Sequence, residues 1–300
     1  MNETGSQWRK ELVKQAARIY QANPHVDAVI LGGSTARNHA DRFSDIEIGV
    51  FWRQPPTDKE RDEMANQTGG DVLRLYPYDE QEQVWSDDLM LGRKSSEEAN
   101  SGVLVEIVHY TKNFIEDTLE QVLVRHNPDE LKQNLISGIL DGLPLKTSNS
   151  LERWKTQATN YPDGLAIAVV RRHAQIDHFM RWRMLLHRGP NMMMLYNSFV
   201  QVEEKILHVL LGLNKVYYFG FKWLDVVVNR MSVKPSNLVH RLQEVYILPP
   251  EDGAKSIVKL VDEAYDLIEQ RMPEVDVKWL RRVFHYERPS WEQKPPVLNW

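Results

Sequence analysis

A short segment near the N-terminus constrains this chain more than any other part of its sequence. The apolar, β-branched run 26–31 leads into Gly32-Gly33-Ser34, and Asp45-Ile46-Glu47 follows eleven residues after the serine. Because the run is short and lies between a proline and a glycine, it predicts a strand. The glycines permit a sharp turn with the backbone close to a ligand, and Ser34 suits the N-cap of a short helix.

This turn is a candidate phosphate-binding element. Free backbone N–H groups at the start of a helix, together with the positive end of its dipole, attract phosphate. The Ser34 hydroxyl adds a donor, and Arg37 lies one helical turn further on as a planar cation. The alternative is that Gly33 and Ser34 form only a common turn and that Arg37 is a solvated helix residue. The order of strand, glycines, helix, strand and paired acids favours phosphate binding.

The two acids that follow indicate a cation site. Residues 43–51 predict a second strand, on which Asp45 and Glu47 project from one face with Cα atoms about 6.6–6.8 Å apart. Two such carboxylates can share hard cations, including a pair of Mg²⁺ ions about 3.5–4 Å apart that serves in-line attack on phosphorus. The alternative is that both acids only mark the solvated face of a half-buried strand.

These residues resemble the signature of the polymerase-β-type nucleotidyltransferase superfamily, in which Gly-(Gly/Ser) precedes Asp-x-(Asp/Glu). Residues 33–37, Gly-Ser-Thr-Ala-Arg, and 43–47, Phe-Ser-Asp-Ile-Glu, are most similar to the aminoglycoside (kanamycin) nucleotidyltransferase family. Parts of the C-terminal half also resemble uncharacterised bacterial nucleotidyltransferase-like proteins. The resemblance implies an α+β fold: an N-terminal polymerase-β-like nucleotidyltransferase domain with a mixed sheet, followed by a C-terminal α-helical bundle.

The superfamily uses a third carboxylate on an adjacent strand, and the β-branched run 103–110 offers Glu106. The resemblance therefore implies Asp45, Glu47 and Glu106 as the ligands of Mg²⁺. An isolated acid on a strand is otherwise more often merely exposed. His109 lies three residues from Glu106, on the opposite strand face, and is expected to be structural or solvated.

A second stretch of resemblance lies in the C-terminal half. The family carries a glutamate that acts as general base, and a lysine that contacts phosphate lies four residues later on the same helix. Asp177 and Arg181 fall on these two positions, and both are substitutions. The resemblance implies Asp177 as the catalytic base and Arg181 as a nucleotide-binding residue. The alternative is an ion pair along one helix face, since the two residues are i and i+4.

The remaining pattern predicts two domains, residues 1–147 and 148–300. In the first, a helix is expected at 6–21, another from Thr57 to about 66, a strand at 71–76 and a helix at 112–124. Residues 79–100 are acidic and polar, and predict a strand at a sheet edge with a mobile loop. The second domain is expected to be helical, at about 150–158, 163–188, 191–212, 219–230, 235–244 and 251–270.

Composition excludes several classes of protein. The net charge of −5 gives no broad basic surface for a nucleic acid, so no nucleic-acid partner is expected. The chain has no cysteine, which excludes disulfides and thiolate–zinc sites. Without a signal-peptide pattern or an apolar run long enough to span a membrane, it is expected to be cytoplasmic with no membrane partner.

The function expected from these features is metal-dependent transfer of a nucleoside monophosphate, with AMP favoured, from ATP or another nucleoside triphosphate to a hydroxyl of a small molecule. An aminoglycoside-like acceptor is favoured, because a polycation suits the acidic balance of the chain. Two alternatives remain open: nucleotidylation of a protein side chain, and a non-catalytic nucleotide-binding protein that retains the fold. The resemblance also suggests a homodimer.

Overall fold

The computed structural model describes residues 3–92, 102–176, 180–188 and 191–286, and the chain divides into two compact units, 1–161 and 162–300. The first unit is built on a six-stranded sheet in the order β3-β4-β5-β2-β1-β6. Strands β2 and β5 are parallel, and the other neighbouring pairs are antiparallel. This mixed sheet with helices confirms the α+β class. The strands are β1 (Val26–Leu31), β2 (Ile46–Trp52), β3 (Asp71–Leu75), β4 (Trp85–Leu91), β5 (Val103–Thr111) and β6 (Leu143–Lys146).

Six helices surround this sheet in the described part of the first unit. They are α1 (Glu3–Ala22), α2 (Gly33–Ala36), α3 (Asp58–Gln67), α4 (Lys112–Leu119, continued by a π-helical turn at Glu120–Val124), α5 (Glu130–Asp141) and α6 (Asn149–Thr159). The predicted start of α3 is confirmed by a capping box, in which Thr57 Oγ1 accepts from Glu60 N and the Glu60 carboxylate accepts from Thr57 N.

The two faces of the sheet differ in chemistry because side chains alternate along each strand. Alternate residues of β2 and β5, such as Ile48, Val50 and Ile107, belong to the apolar core shared with α1 and α3. The residues between them, including Glu47 on β2 and Glu106 on β5, project from the other face. The acids of the predicted site therefore lie on the sheet face opposite the main core.

The segment predicted as a sheet edge has a different place in the structure. Strand β4 is flanked by β3 and β5, so it is an interior strand rather than an edge. The preceding residues form a turn closed by the bridge between Asp79 and Val84. Residues 93–100, where the mobile loop was expected, lie outside the described residues.

Helix α6 belongs to the first unit, whereas the sequence placed the domain boundary before it, near 147. The Trp154 ring packs edge-on against Phe51 of β2, with centroids 5.4 Å apart. Lys155 Nζ donates to the carbonyl oxygens of Leu140 and Gly142 at the end of α5. These contacts join α6 to the sheet and to α5, and the division follows Tyr161.

The described part of the second unit contains helices and no strand. Helices α7 and α12 both pack on α9, whose buried side chains form the centre of this unit. The helix predicted over 163–188 is interrupted, since α7 ends at His173 and 174–176 are not helical. Within the described ranges, no helix has the length and apolarity needed to cross a bilayer. The helices are α7 (Asp163–His173), α8 (Met180–His187), α9 (Met192–Leu213), α10 (Leu224–Asn229), α11 (Leu238–Glu244), α12 (Pro250–Arg271) and α13 (Lys278–Phe284).

Candidate active site

The glycine turn after β1 packs directly against an acidic side chain of β2. Gly32 N donates to the Glu47 carbonyl oxygen at 2.8 Å, which ties the turn to the strand. Gly33 has a φ of +60°, and a Cβ built on it would lie 2.4 Å from Glu47 Cδ. Only glycine satisfies both demands, the left-handed backbone and the close approach of a carboxylate. The turn and Glu47 therefore form one local unit.

Helix α2 begins earlier than the sequence indicated. Its N-cap is Gly32, which is extended and makes no side-chain cap, so the expectation of Ser34 as N-cap is wrong. The physical reason is that Gly33 already enters the helix from its left-handed conformation, which places Ser34 in the first turn. The helix is only four residues long, ends at Ala36 and has Arg37 as its C-cap.

Arg37 is held at the same place by a second element of the first unit. Its Nε donates to Asp141 Oδ2 at 2.7 Å, and both side chains are largely buried. Because Asp141 ends α5, this ion pair joins the glycine turn to that helix. The guanidinium also lines the cavity described below, together with Gly32 and Gly33.

Glu47 and Glu106 are neighbours on adjacent parallel strands. They are register partners in the β2–β5 pair, so both project from one face with Cα atoms about 4.8 Å apart. Asp88 of β4 is in turn the register partner of Glu106. Asp88 was not among the predicted catalytic or metal-binding residues, because it lies in the acidic stretch interpreted as an edge and loop. The sequence feature that could have identified Asp88 is the position of the short run 85–91 just before the strand that bears Glu106.

Asp45 lies immediately before β2 rather than on it. The strand begins at Ile46, so the expectation of a strand from Phe43 is wrong at its start. A turn occupies this position, and Arg9 of α1 holds it by donating to the carbonyl oxygens of Ser44 (Nη2, 2.9 Å) and Asp41 (Nη2, 2.8 Å). Arg9 is 3% exposed, and its role was not visible in the sequence because it lies on another element.

The charges of these acids act on one another. Burial, followed by the negative charges of Glu47, Asp88 and Asp45, raises the pKa of the Glu106 carboxyl. In the described structure the carboxylate oxygens of Asp45, Glu47 and Glu106 do not all lie within 4.8 Å of one another. The arrangement therefore brings the three acids into electrostatic contact without yet forming a compact ligand set.

A cavity of about 420 Å³ opens beside the acids on the same sheet face. The Gly32-Gly33 turn, Arg37 and Glu47 line one end of it. Residues of β5, α4 and α5 line the remainder, among them Tyr110, Phe114 and Leu135. Polar side chains also line the cavity, among them Glu82, Asp129 and Lys132. The cavity thus combines the glycine turn, charged side chains and aromatic rings, and small-molecule sites commonly pair apolar surface with a few polar groups in this way.

His109 lies on the opposite face and is structural, as expected from its spacing to Glu106. Its Nε2 contacts Asp87 Oδ2 at 2.8 Å, and its Nδ1 accepts from Trp52 Nε1 at 3.0 Å. Asp87 also pairs with Arg61 (Nη1 to Oδ1, 3.2 Å), and all of these side chains are fully buried. Burial lowers the pKa of His109 and holds the ring neutral.

Two predicted site residues belong to the second unit. Asp177 lies outside the described residues. Arg181 falls within α8, but its side chain is outside the described part of the structure. Both roles therefore stay predictions. In comparisons with known proteins, no family model matches the chain and no curated protein matches it.

Proposed function

We propose that this chain transfers a nucleoside monophosphate, with AMP favoured, from a nucleoside triphosphate to a hydroxyl of a small molecule. The observation that carries this proposal is the register of Glu47 with Glu106 on adjacent strands, with the Gly33 turn packed against Glu47. A glycine turn beside paired carboxylates, at the mouth of a cavity that also contains Arg37, combines the parts that phosphoryl transfer needs.

The acids suit Mg²⁺ in two respects. Their donors are carboxylate oxygens, which hard divalent cations prefer. In addition, burial and then the acidic neighbours raise the pKa of Glu106, and a bound cation would favour the ionised carboxylate against both effects. Asp45, Glu47 and Glu106 are the residues that would hold the metal, which supplies charge neutralisation at the reacting phosphate when bound.

The chain's own residues would then bind the phosphates and accept the proton of the acceptor hydroxyl. The Gly33 amide, the Ser34 hydroxyl and Arg37 would bind the β- and γ-phosphates, and Arg181 is a further candidate for this role. Asp177 would accept the proton of the acceptor hydroxyl as that oxygen attacks the α-phosphorus, and pyrophosphate would leave. The polymerase-β-like assignment of the first unit and the helical, substrate-binding role of the second are part of this proposal.

An amine-bearing acceptor of the aminoglycoside class fits the acids best. Asp88 extends the row formed by Glu47 and Glu106 on the side away from the glycine turn. A polycation would be attracted to this row, and its hydroxyl would be brought beside the α-phosphate. The acceptor and the dimeric state suggested by the resemblance belong to the proposal alone.

The test is pyrophosphate release from ATP with Mg²⁺ over a panel of aminoglycosides. Acceptor-dependent release is expected for the unaltered protein, with a loss of at least about 10²-fold in Glu47→Gln and Glu106→Gln. Glu63→Gln is the matched control, because Glu63 is an exposed residue of α3, which packs on the other sheet face. Absence of release with every acceptor, or equal release in all variants, would overturn the proposal.

A further inference from the structure

Part of the cavity is a slot between the sheet and α5. Gly49 of β2 and Val108 of β5 contribute to the lining on the sheet side. Leu135, Gly138 and Ile139 contribute on the α5 side. We call this space the α5 slot. Glu47 and Gly49 are two residues apart on β2, so the slot follows the strands from the acids along the same sheet face.

Glycine at 138 keeps the slot open. A Cβ built on Gly138 would have no neighbour within 4 Å, whereas one on Gly142 would meet Gly138 O at 2.7 Å and Ile30 Cδ1 at 2.8 Å. Gly142 is thus small for a packing reason and Gly138 is not. A glycine within a helix destabilises it by roughly 0.5–1 kcal/mol relative to alanine. The empty volume beside Gly138 is therefore a property of the cavity rather than a requirement of the fold.

Aromatic rings line the slot. Phe51 and Tyr110 have ring centroids 5.8 Å apart with planes inclined by 23°, and Tyr110 and Phe114 have centroids 6.2 Å apart with planes inclined by 5°. Phe51 and Tyr110 follow Glu47 and Glu106 by four residues on their strands, so they leave the same sheet face about 13 Å further along. The aromatic lining therefore lies beyond the carboxylates in the direction of the strands.

We propose that the α5 slot binds the nucleobase of the nucleoside triphosphate, with its ring packed against the aromatic lining and beside Gly138. This inference rests on the proposed function. A planar aromatic heterocycle buries apolar faces against such a lining, and stacking on aromatic side chains stabilises bound bases. A polycationic sugar has no aromatic face to pack against these rings, so the acceptor binds outside the slot.

Gly138 provides the test, because it can be enlarged into open space. Calorimetric titrations with Mg²⁺ compare ATP and inorganic tripolyphosphate, without acceptor, on the unaltered protein, Gly138→Ala and Gly138→Leu. The unaltered protein should bind ATP about 5- to 100-fold more tightly than tripolyphosphate, as expected for a stacked base. Gly138→Leu should bring ATP down to the affinity of tripolyphosphate and leave tripolyphosphate binding unchanged.

Gly138→Ala is the matched control for folding. It should melt at or above the temperature of the unaltered protein and retain most of the preference for ATP, because one methyl group only begins to fill the slot. Unchanged ATP binding in Gly138→Leu would overturn the slot while leaving the proposed function intact, and so would equal losses for ATP and tripolyphosphate. If the unaltered protein binds neither compound, the proposed function fails and the slot fails with it.

Discussion

Replacing Gly33 by alanine should separate the geometry of the site from the stability of the fold. The φ of +60° would strain an alanine backbone, and its Cβ would overlap the Glu47 carboxyl group, with 2.4 Å to Cδ. Strain in this region costs about 1–3 kcal/mol, or roughly 2–4 °C in melting temperature per kcal/mol for a unit of this size. Displacement of Glu47 by about 1 Å should lower turnover about 10²-fold.

Two glycines of the same unit serve as controls. Gly69 has a φ of +76° and nothing within 4 Å of a Cβ, so Gly69→Ala carries the backbone strain without the overlap. Gly32→Ala is the second control, because a Cβ on Gly32 would make only ordinary contact with Glu47 Cβ at 3.7 Å. Thermal melts should show similar losses for Gly33→Ala and Gly69→Ala. Pyrophosphate release should fall only in Gly33→Ala, and full activity in that variant would refute the link between the turn and Glu47.

Three further outcomes are expected. A carboxyl whose pKa is raised in the folded state costs the fold stability as pH rises through that pKa. Glu106→Gln should therefore raise the melting temperature in chelator at pH 8 and abolish any increase caused by Mg²⁺. A lower melting temperature of this variant in chelator would contradict the unfavourable charge of Glu106. His208, a buried residue of α9, has a folded pKa of about 3, which burial lowers first. The free energy of unfolding should therefore fall as pH falls below about 6.5, and His208→Phe should flatten this dependence in urea titrations. Arg9→Met removes the donors to the Ser44 and Asp41 carbonyl oxygens and should destabilise the fold by about 1.5–3 kcal/mol in the same titrations. It should also reduce Mg²⁺-dependent turnover by displacing Asp45. An unaltered urea midpoint would refute the anchoring role of Arg9.

The local parts of the site could be predicted from the sequence. Strand β1, the glycine turn and the strand that bears Glu106 follow from short-range apolar pattern and glycine placement, which depend on neighbours in sequence. The start of α3 was visible for the same reason, since Thr57 and Glu60 form their capping box within one turn. In each case the interactions that define the element span only a few residues.

The parts that were missed depend on contacts between distant residues. Strand β4 contains adjacent acids, and the inward one, Asp87, is accommodated only by Arg61 and His109 from other elements. Asp45 lies before β2 because Arg9, 36 residues earlier in the chain, holds the preceding turn. A single sequence does not reveal such pairings, and this is why Asp88 and Arg9 were absent from the predicted site.

Binding of Mn²⁺ as a substitute for Mg²⁺, followed by electron paramagnetic resonance in the presence of a non-hydrolysable ATP analogue, tests the proposed metal site most directly. The unaltered protein and Glu63→Gln should bind the ion with the same stoichiometry and affinity. Glu47→Gln and Glu106→Gln should weaken binding strongly, since each removes a carboxylate ligand. Unchanged Mn²⁺ binding in both variants would show that these acids do not hold the metal.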